Sequence, residues 1–265
     1  MMQIINKKSF LCLRKSINNQ GSVAHFMDYR SNIKIGYLTI DEAPSNDFEN
    51  KLDYLDSKGI KAIFFCQGKF LESRIKIAVK AIQRGHVLGN HSYNHPRFSK
   101  ITLEEAEWQI RRTDELIEEA YRLAGVPRLY EVFRFPELDK GGDKKEELQK
   151  LLIKMGYRQP RFENITYRWY LDEGHHRDAD VYCTYDTFDW CLLEEGGCEE
   201  FGIKTLEDVL ARMDEDVPEG WRGLNCSSSN DIIMVHDIEE ISCSFKPMIE
   251  KMLNKGIKFE LPAPK

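Results

Sequence analysis

Two histidines four residues apart, His91 and His95, stand in the segment Gly89-Asn90-His91-Ser92-Tyr93-Asn94-His95-Pro96. Upstream, the apolar run Ile35-Gly36-Tyr37-Leu38-Thr39-Ile40 ends in adjacent carboxylates, Asp41 and Glu42. Far downstream, a second apolar run over 231–235 ends in His236. Neutral imidazoles and a carboxylate are the ligand set of a catalytic zinc, which keeps one position open for water. One carboxylate of the Asp-Glu pair would then hold the metal, and the other would take a proton from that water. His236, kept charged by a neighbouring acid, could protonate a leaving amine. Each feature also has a plainer reading. Asp41-Glu42 fits a solvated strand end, His91 and His95 fit surface residues in a turn, and His236 fits a satisfied rim histidine. Arg134, in Phe133-Arg134-Phe135-Pro136, fits a surface ion pair, and Asp189-Trp190 fits a helix cap beside a core aromatic.

The elements that must gather these groups follow from periodicity and punctuation. A strand over 35–40 runs into Asp41. Asn46 caps a helix with Phe48, Leu52 and Leu55 on one face, stopped at Lys58-Gly59. A strand over 60–66, a helix over 70–84 and a brief strand over 86–89 lead into the histidines. Thr102 with Glu105 forms a capping box for a helix to Leu123, stopped by Gly125 and Pro127. Strands at 131–135, 181–185, 231–236 and 257–261 alternate with helices at 143–155, 205–213 and 245–254. Residues 157–180 read as a long insertion loop, and the aromatics over 157–190 are candidates for lining a sugar-binding groove.

This alternation predicts an α/β fold whose parallel sheet is closed, or nearly so, into a (β/α) barrel. Asp41, His91, Arg134, Asp189 and His236 each fall at or just past a strand's C-terminal end, and those ends converge on one mouth. Neighbours on a pleated strand face opposite ways, so Asp41 and Glu42 share a site only if the chain leaves the pleat there. Pro44 offers the break. The spacing of His91 and His95 suits one helical turn, or a tight loop because Pro96 disfavours αR at His95.

Composition narrows the class. The chain has 265 residues, 42% hydrophobic and 31% charged, the profile of a soluble globular protein. Its formal charge of −6 leaves no basic footprint for nucleic acid, and no window reaches a membrane span. Seven cysteines without a C-x-x-C pair predict reduced thiols, with Cys66 and Cys183 as small buried residues. Residues 1–33 read as an N-terminal extension and 34–265 as the catalytic domain. The apolar stretch at 9–13 is too short for a secretory signal, so a cytoplasmic protein is expected if this is the natural start.

In order, T-I-D-E, H-S-Y-N-H, R-F-P, D-T-F-D-W and M-V-H resemble the five motifs of the polysaccharide deacetylase family, over about Gly36 to Leu261. The resemblance implies a distorted (β/α) barrel, a divalent metal, usually zinc, and hydrolysis of an N-acetyl group from an amino sugar. By position it makes Asp41 the catalytic base, Glu42, His91 and His95 the metal ligands, and Arg134 the residue that orients the base. Asp189 falls on the acid that pairs with the catalytic histidine, and His236 on the general acid. Pro136, Glu137 and Trp190 fall where the family meets its substrate. Two departures stand out. Glu42 replaces the usual aspartate, and Glu137-Leu138 replaces an aromatic-glycine pair whose backbone N–H helps form the oxyanion hole. Two further readings therefore stay open: an impaired member of the fold that binds sugar or metal, and an amidohydrolase acting on another small amide.

Overall fold

Alternation along the strands decides which side chains meet. In the computed structural model, which describes residues 33–217 and 223–265, the first strand is β1 (Ile35–Ala43). It is followed by β2 (Ile63–Cys66), β3 (Val87–Asn90), β4 (Tyr185–Asp186), β5 (Asp231–His236) and β6 (Lys258–Phe259). All pairings between them are parallel, in the order β3-β2-β1-β5-β4, with β6 beside the start of β1. Leu38, Ile40, Phe64, Cys66, Ile233 and Val235 point outward into the core shared with the helices. Tyr37, Ile63, Phe65, Val87 and Ile232 point to the other side, where Val132, Val181, Tyr167 and Tyr170 join them. Thr39 and Asp41 follow Tyr37 on that inner face by the two-residue period, and Met234 and His236 follow Ile232. Asp41 and His236 are directly paired in the register of β1 with β5.

Beyond β3 the ring is completed by single links. Asn90 bridges Phe133, the Val181 N–H donates to the Phe133 carbonyl at 2.8 Å, and the Thr184 N–H donates to Ile232 O at 2.9 Å. The result is a distorted barrel of parallel strands with outer helices. The strand expected at 131–135 shrinks to the bridge at Phe133. Arg134 O is taken by the His91 ring, and Pro136 has no N–H to continue a ladder. The strand expected at 181–185 contracts likewise to β4.

The helices are α1 (Phe48–Ser57), α2 (Gly68–Gln83), α3 (Leu103–Ala124), α4 (Lys145–Lys154), α5 (Arg168–Asp172), α6 (Leu206–Arg212) and α7 (Ser242–Asn254). Thr102 Oγ1 accepts from the Glu105 N–H at 3.1 Å, and Gly125 ends α3 with φ 69°. Phe48, Leu52 and Leu55 are buried as the periodicity requires, but Asp47 rather than Asn46 stands at the cap of α1. Asn46 spends its amide on Arg74 and Glu239 instead.

Two expectations are corrected. Residues 157–180 are not a free loop: α5 lies within them, and Tyr167 and Tyr170 are buried in the inner cluster. Nor are all the cysteines thiols, since Cys191 and Cys198 are joined as a disulfide. Cys66 and Cys183 are buried free thiols, pushed well up in pKa by desolvation. The expected extension at 1–33 lies outside the described residues apart from Ile33. No helix among the described residues is long and apolar enough to cross a membrane.

Candidate active site

Glu42 leaves the pleat. The register of β1 against β2 shifts between Ile40 and Ala43, and Glu42 has φ 60°. A non-glycine residue held in that region costs about 1–3 kcal/mol and persists only where surrounding structure fixes it. The bulge turns Glu42 to the same side as Asp41. Both side chains then reach one spot: His91 Nε2 lies 3.7 Å from Asp41 Oδ2 and 3.7 Å from Glu42 Oε1.

The histidine segment is a tight loop with Ser92 at φ 63° and His95 at φ 60°. Asn90 pins its start, accepting from the Ser92 N–H at 2.9 Å and donating to Ile110 O and Tyr157 Oη. Gln109 Oε1 accepts from the N–H groups of Tyr93 and Asn94, and Ser92 Oγ from that of His95. Gly89 is required beneath it, because a Cβ there would meet the Phe65 ring at 2.7 Å. The His91 ring lies 2.9 Å through Nδ1 from the Arg134 carbonyl. A carbonyl only accepts, so Nδ1 carries the hydrogen and Nε2 turns its lone pair to the site. His95 Nε2 stands 3.0 Å from Glu42 Oε1.

One ligand atom each from Glu42, His91 and His95 falls within 4.8 Å of the others. Glu42 Oε2 and His95 Nε2 are buried atoms without a hydrogen-bond partner among the described residues. Orphaned buried polar atoms are costly, and a cation shared by this donor set would satisfy both. These residues fit a divalent metal. Asp186, Asp189 and His236 form a second close group, but it suits a proton rather than a metal. Burial pushes the His236 imidazole down, and Asp189 and Glu42 outweigh it, holding its pKa well above the ordinary value. An imidazolium has no lone pair to give a cation.

Behind each of these groups stands a second residue. Arg134 is fully buried, donates through Nη1 to Asp41 Oδ1 at 2.7 Å, and lies over the Phe65 ring. The same Nη1 reaches Thr39 Oγ1 at 2.8 Å, and Nε reaches Val181 O at 3.0 Å. Asp41 thus commits one oxygen and leaves Oδ2 facing the imidazoles. Asp189 accepts from His236 Nδ1 at 2.6 Å and from the His236 N–H at 3.1 Å, while Thr187 Oγ1 steadies it at 2.8 Å. Burial raises the Glu42 carboxyl, but His236 and the neighbouring imidazoles of His91 and His95 outweigh that and hold it well below its ordinary pKa.

These groups open on a groove of about 570 Å³ walled by Trp190, Phe188, Phe201 and Tyr182. Glu137 and Leu138 line it, whereas Pro136 is buried and only starts the turn that presents them. Glu137 has φ 53°, and its carboxylate is bound by Arg97 Nε at 2.5 Å. Of the aromatics over 157–190, Tyr182, Phe188 and Trp190 line it, whereas Tyr167, Trp169 and Tyr170 do not. Thr39, Thr187, Arg97 and Asp186 were not singled out from sequence. Thr39, in T-I-D-E, and Asp186 and Thr187, in D-T-F-D-W, lie within the motifs, whereas Arg97 carries no such signal. Burial lifts the Asp186 carboxyl to about 6.

A family model described as polysaccharide deacetylase matches residues 28–160. Peptidoglycan-N-acetylglucosamine deacetylase of Bacillus cereus is 39% identical over 89 residues, 33% of this chain and 31% of that protein. Chitin deacetylase 1 of Cryptococcus neoformans is 25% identical over 194 residues, 69% of this chain and 39% of the relative. The first aligned relatives are thus matched over about a third of their length or less. A family 4 carbohydrate esterase from Streptomyces lividans, solved with acetate, superposes with TM-score 0.59 at 18% identity, covering 87% of this chain and 94% of the other. A family 4 pseudoenzyme from Bacillus anthracis superposes with TM-score 0.56 at 20% identity, covering 86% of this chain and 63% of its own. At such identities the superpositions speak for the fold. Asp189, Trp190 and His236 lie beyond the segment the family model matches.

Proposed function

Because the chain belongs to the polysaccharide deacetylase family, we propose that it is a metal-dependent hydrolase removing N-acetyl groups from amino sugars of an oligo- or polysaccharide. One observation carries the reading: Glu42, His91 and His95 converge within 4.8 Å at the rim of a groove that also presents Asp41 and a charged His236.

Glu42, His91 and His95 would hold the cation, with zinc the metal that suits two imidazoles and a carboxylate. Such a cation acidifies water and polarises an amide carbonyl. Asp41, through Oδ2, accepts the proton of the attacking water, while Arg134 fixes its other oxygen. Water adds to the acetamide carbonyl carbon, and the backbone N–H of Glu137 is assigned to the developing oxyanion. The Glu137 carboxylate, drawn to Arg97, is kept off that charge. His236 donates from Nε2 to the departing nitrogen as the C–N bond breaks, giving acetate and a free amine. Asp189 keeps the other ring nitrogen hydrogen-bonded throughout.

Acetate release from chitooligosaccharides and peptidoglycan fragments, by protein loaded with zinc, manganese or cobalt, tests this. Stoichiometric cation with no acetate from any amino sugar would reassign the chain to the non-catalytic members of its fold. Glu42 is the residue on which that alternative turns, because its side chain is one methylene longer than the family's aspartate. In this backbone Oε1 already reaches His95 at 3.0 Å, so the length suits the bulge. Glu42→Asp is expected to weaken zinc binding by about tenfold or more, the scale on which metal sites respond to displaced partners. Tighter binding and faster turnover in the variant would mark the natural protein as impaired.

The pH profile supplies another check. With Asp189 in place the imidazolium persists above its usual range, so the basic limb of kcat/KM, which needs His236 protonated, lies high. Asp189→Asn removes the strongest influence raising that pKa. The basic limb is expected to move to lower pH, with kcat reduced by about 10²-fold or more. An unmoved limb would assign it to another group.

A further inference from the structure

Pairing with β2 sets the bulge at Glu42 from one side of β1. A φ of 60° on a side chain of this size persists only where the surroundings over-determine it, and the other side of β1 supplies a second hold. There the chain before and after Glu42 is fastened to a single residue, Asp237. Just before Glu42, the Asp41 carbonyl accepts from the Asp237 N–H at 2.8 Å. Three residues after it, Ser45 donates twice to the Asp237 carboxylate, from its N–H to Oδ2 and from its hydroxyl to Oδ1, each at 2.7 Å. Ser45 Oγ also accepts from the Asp47 N–H at 3.1 Å, which ties this loop to the cap of α1. Asp237 directly follows His236, the last residue of β5. One side chain thus joins the segment that carries Glu42 to the segment that carries the general acid.

The charge on Asp237 is met by Lys51, from the middle of α1. Lys51 Nζ lies 2.5 Å from Asp237 Oδ1, with both side chains buried, and 5.6 Å from the centroid of the Phe245 ring of α7. A buried lysine–aspartate pair does little for the stability of a fold, because an apolar pair of like volume does as well or better. What the ions add is direction. A carboxylate neutralised by an ammonium still accepts short charge-assisted hydrogen bonds along fixed lines, and here those lines end on the loop that follows Glu42.

None of Ser45, Lys51 and Asp237 lines the catalytic groove, so none of them meets the reacting groups directly. We propose that the three form a positioning clamp, which holds Glu42 in the conformation that binds the cation and sets its separation from His236. The clamp acts through the backbone on both sides of Glu42. The inference rests on the reading of Glu42, His91 and His95 as the cation site.

Zinc affinity, measured by competition with a chromophoric chelator, tests the clamp beside thermal melting of the metal-free protein. Lys51→Met leaves the Asp237 charge buried without its partner. That variant should melt lower and bind zinc about tenfold more weakly or worse, the scale on which metal sites respond to a lost supporting residue. The double variant Lys51→Met, Asp237→Val removes both ions. It should regain most of the lost melting temperature, since no charge stays unpaired, while its zinc affinity stays low because Ser45 has lost its anchor. Ser45→Ala changes a half-buried residue and keeps the ion pair, so it carries the test if the other two fail to fold. It should weaken zinc binding by a smaller factor. On chitooligosaccharides kcat should fall by about tenfold or more in the first two variants with KM unchanged, because the aromatic walls of the groove stand on the segment 182–201. Zinc affinity that recovers together with melting temperature in the double variant would reduce the clamp to a fold stabiliser and overturn the proposal. Unchanged affinity in Lys51→Met and Ser45→Ala would do the same. Absence of acetate from every sugar would overturn the catalytic reading alone, and the zinc titrations would still decide this one. A natural protein that takes up no cation would overturn both.

Discussion

Asp41→Asn is expected to lower kcat by about 10³-fold while leaving zinc stoichiometry unchanged, the range lost when a positioned general base is removed. The argument is in the division of labour between its two oxygens. Oδ1 is bound to Arg134 at 2.7 Å, and asparagine can keep that contact with its carbonyl oxygen. Oδ2 faces the His91 ring at 3.7 Å and is the atom assigned to take the proton, and an amide nitrogen there cannot do so. The proposed cation site, by contrast, uses Glu42, His91 and His95, which could hold a metal together, and should survive the change. Some stability should be lost too, because a fully buried guanidinium loses its anionic partner, a change worth about 3–5 kcal/mol when no acceptor remains and less with asparagine in place. Metal analysis and thermal melting beside the rate measurement separate these effects. A variant that turns over normally would remove Asp41 from the chemistry.

Much of this constellation was legible because β-strands repeat every two residues. Tyr37, Thr39 and Asp41 have to share a face, as do Ile232, Met234 and His236, so sequence alone brings two separated segments to one mouth. What could not be read was set by contacts distant in sequence. The positive φ of Glu42 belongs to a bulge fixed by pairing with β2. The short links through Phe133 and Val181 follow from Arg134 O being used by a histidine ring. Of the aromatics over 157–190, Tyr182, Phe188 and Trp190 do wall the groove, but composition does not say which side of a barrel a segment covers, and Tyr167 and Tyr170 fill its interior instead. The Cys191–Cys198 pairing carries no signal in sequence, because C-x-x-C is the recognisable spacing and these cysteines are seven apart. Asn46 illustrates the converse failure. Its local propensity for capping was real, but Arg74 and Glu239 compete for its amide and win.

His95→Ala and His91→Ala should part company with Asp41→Asn by losing the cation and the reaction together. Each removes one of the three ligands, and Lewis-acid stabilisation of several kcal/mol goes with them, so kcat/KM should fall by about 10³-fold or more. The two should differ in stability. His95 is partly exposed, with its side chain at 21%, and beyond its 3.0 Å approach to Glu42 its Nε2 has no hydrogen bond among the described residues, so the fold should tolerate alanine. His91 is buried at 1% and its Nδ1–H satisfies the Arg134 carbonyl. Alanine there leaves a cavity and an unsatisfied buried acceptor beside the guanidinium that holds Asp41, a combined cost of about 3 kcal/mol or more. The expected order of melting temperature is therefore natural protein, then His95→Ala, then His91→Ala, all measured without added metal. Equal melting temperatures would mean that the His91–Arg134 contact does not support the loop. Retained zinc in both variants would locate the cation elsewhere and undo the assignment of Glu42, His91 and His95 as its holders.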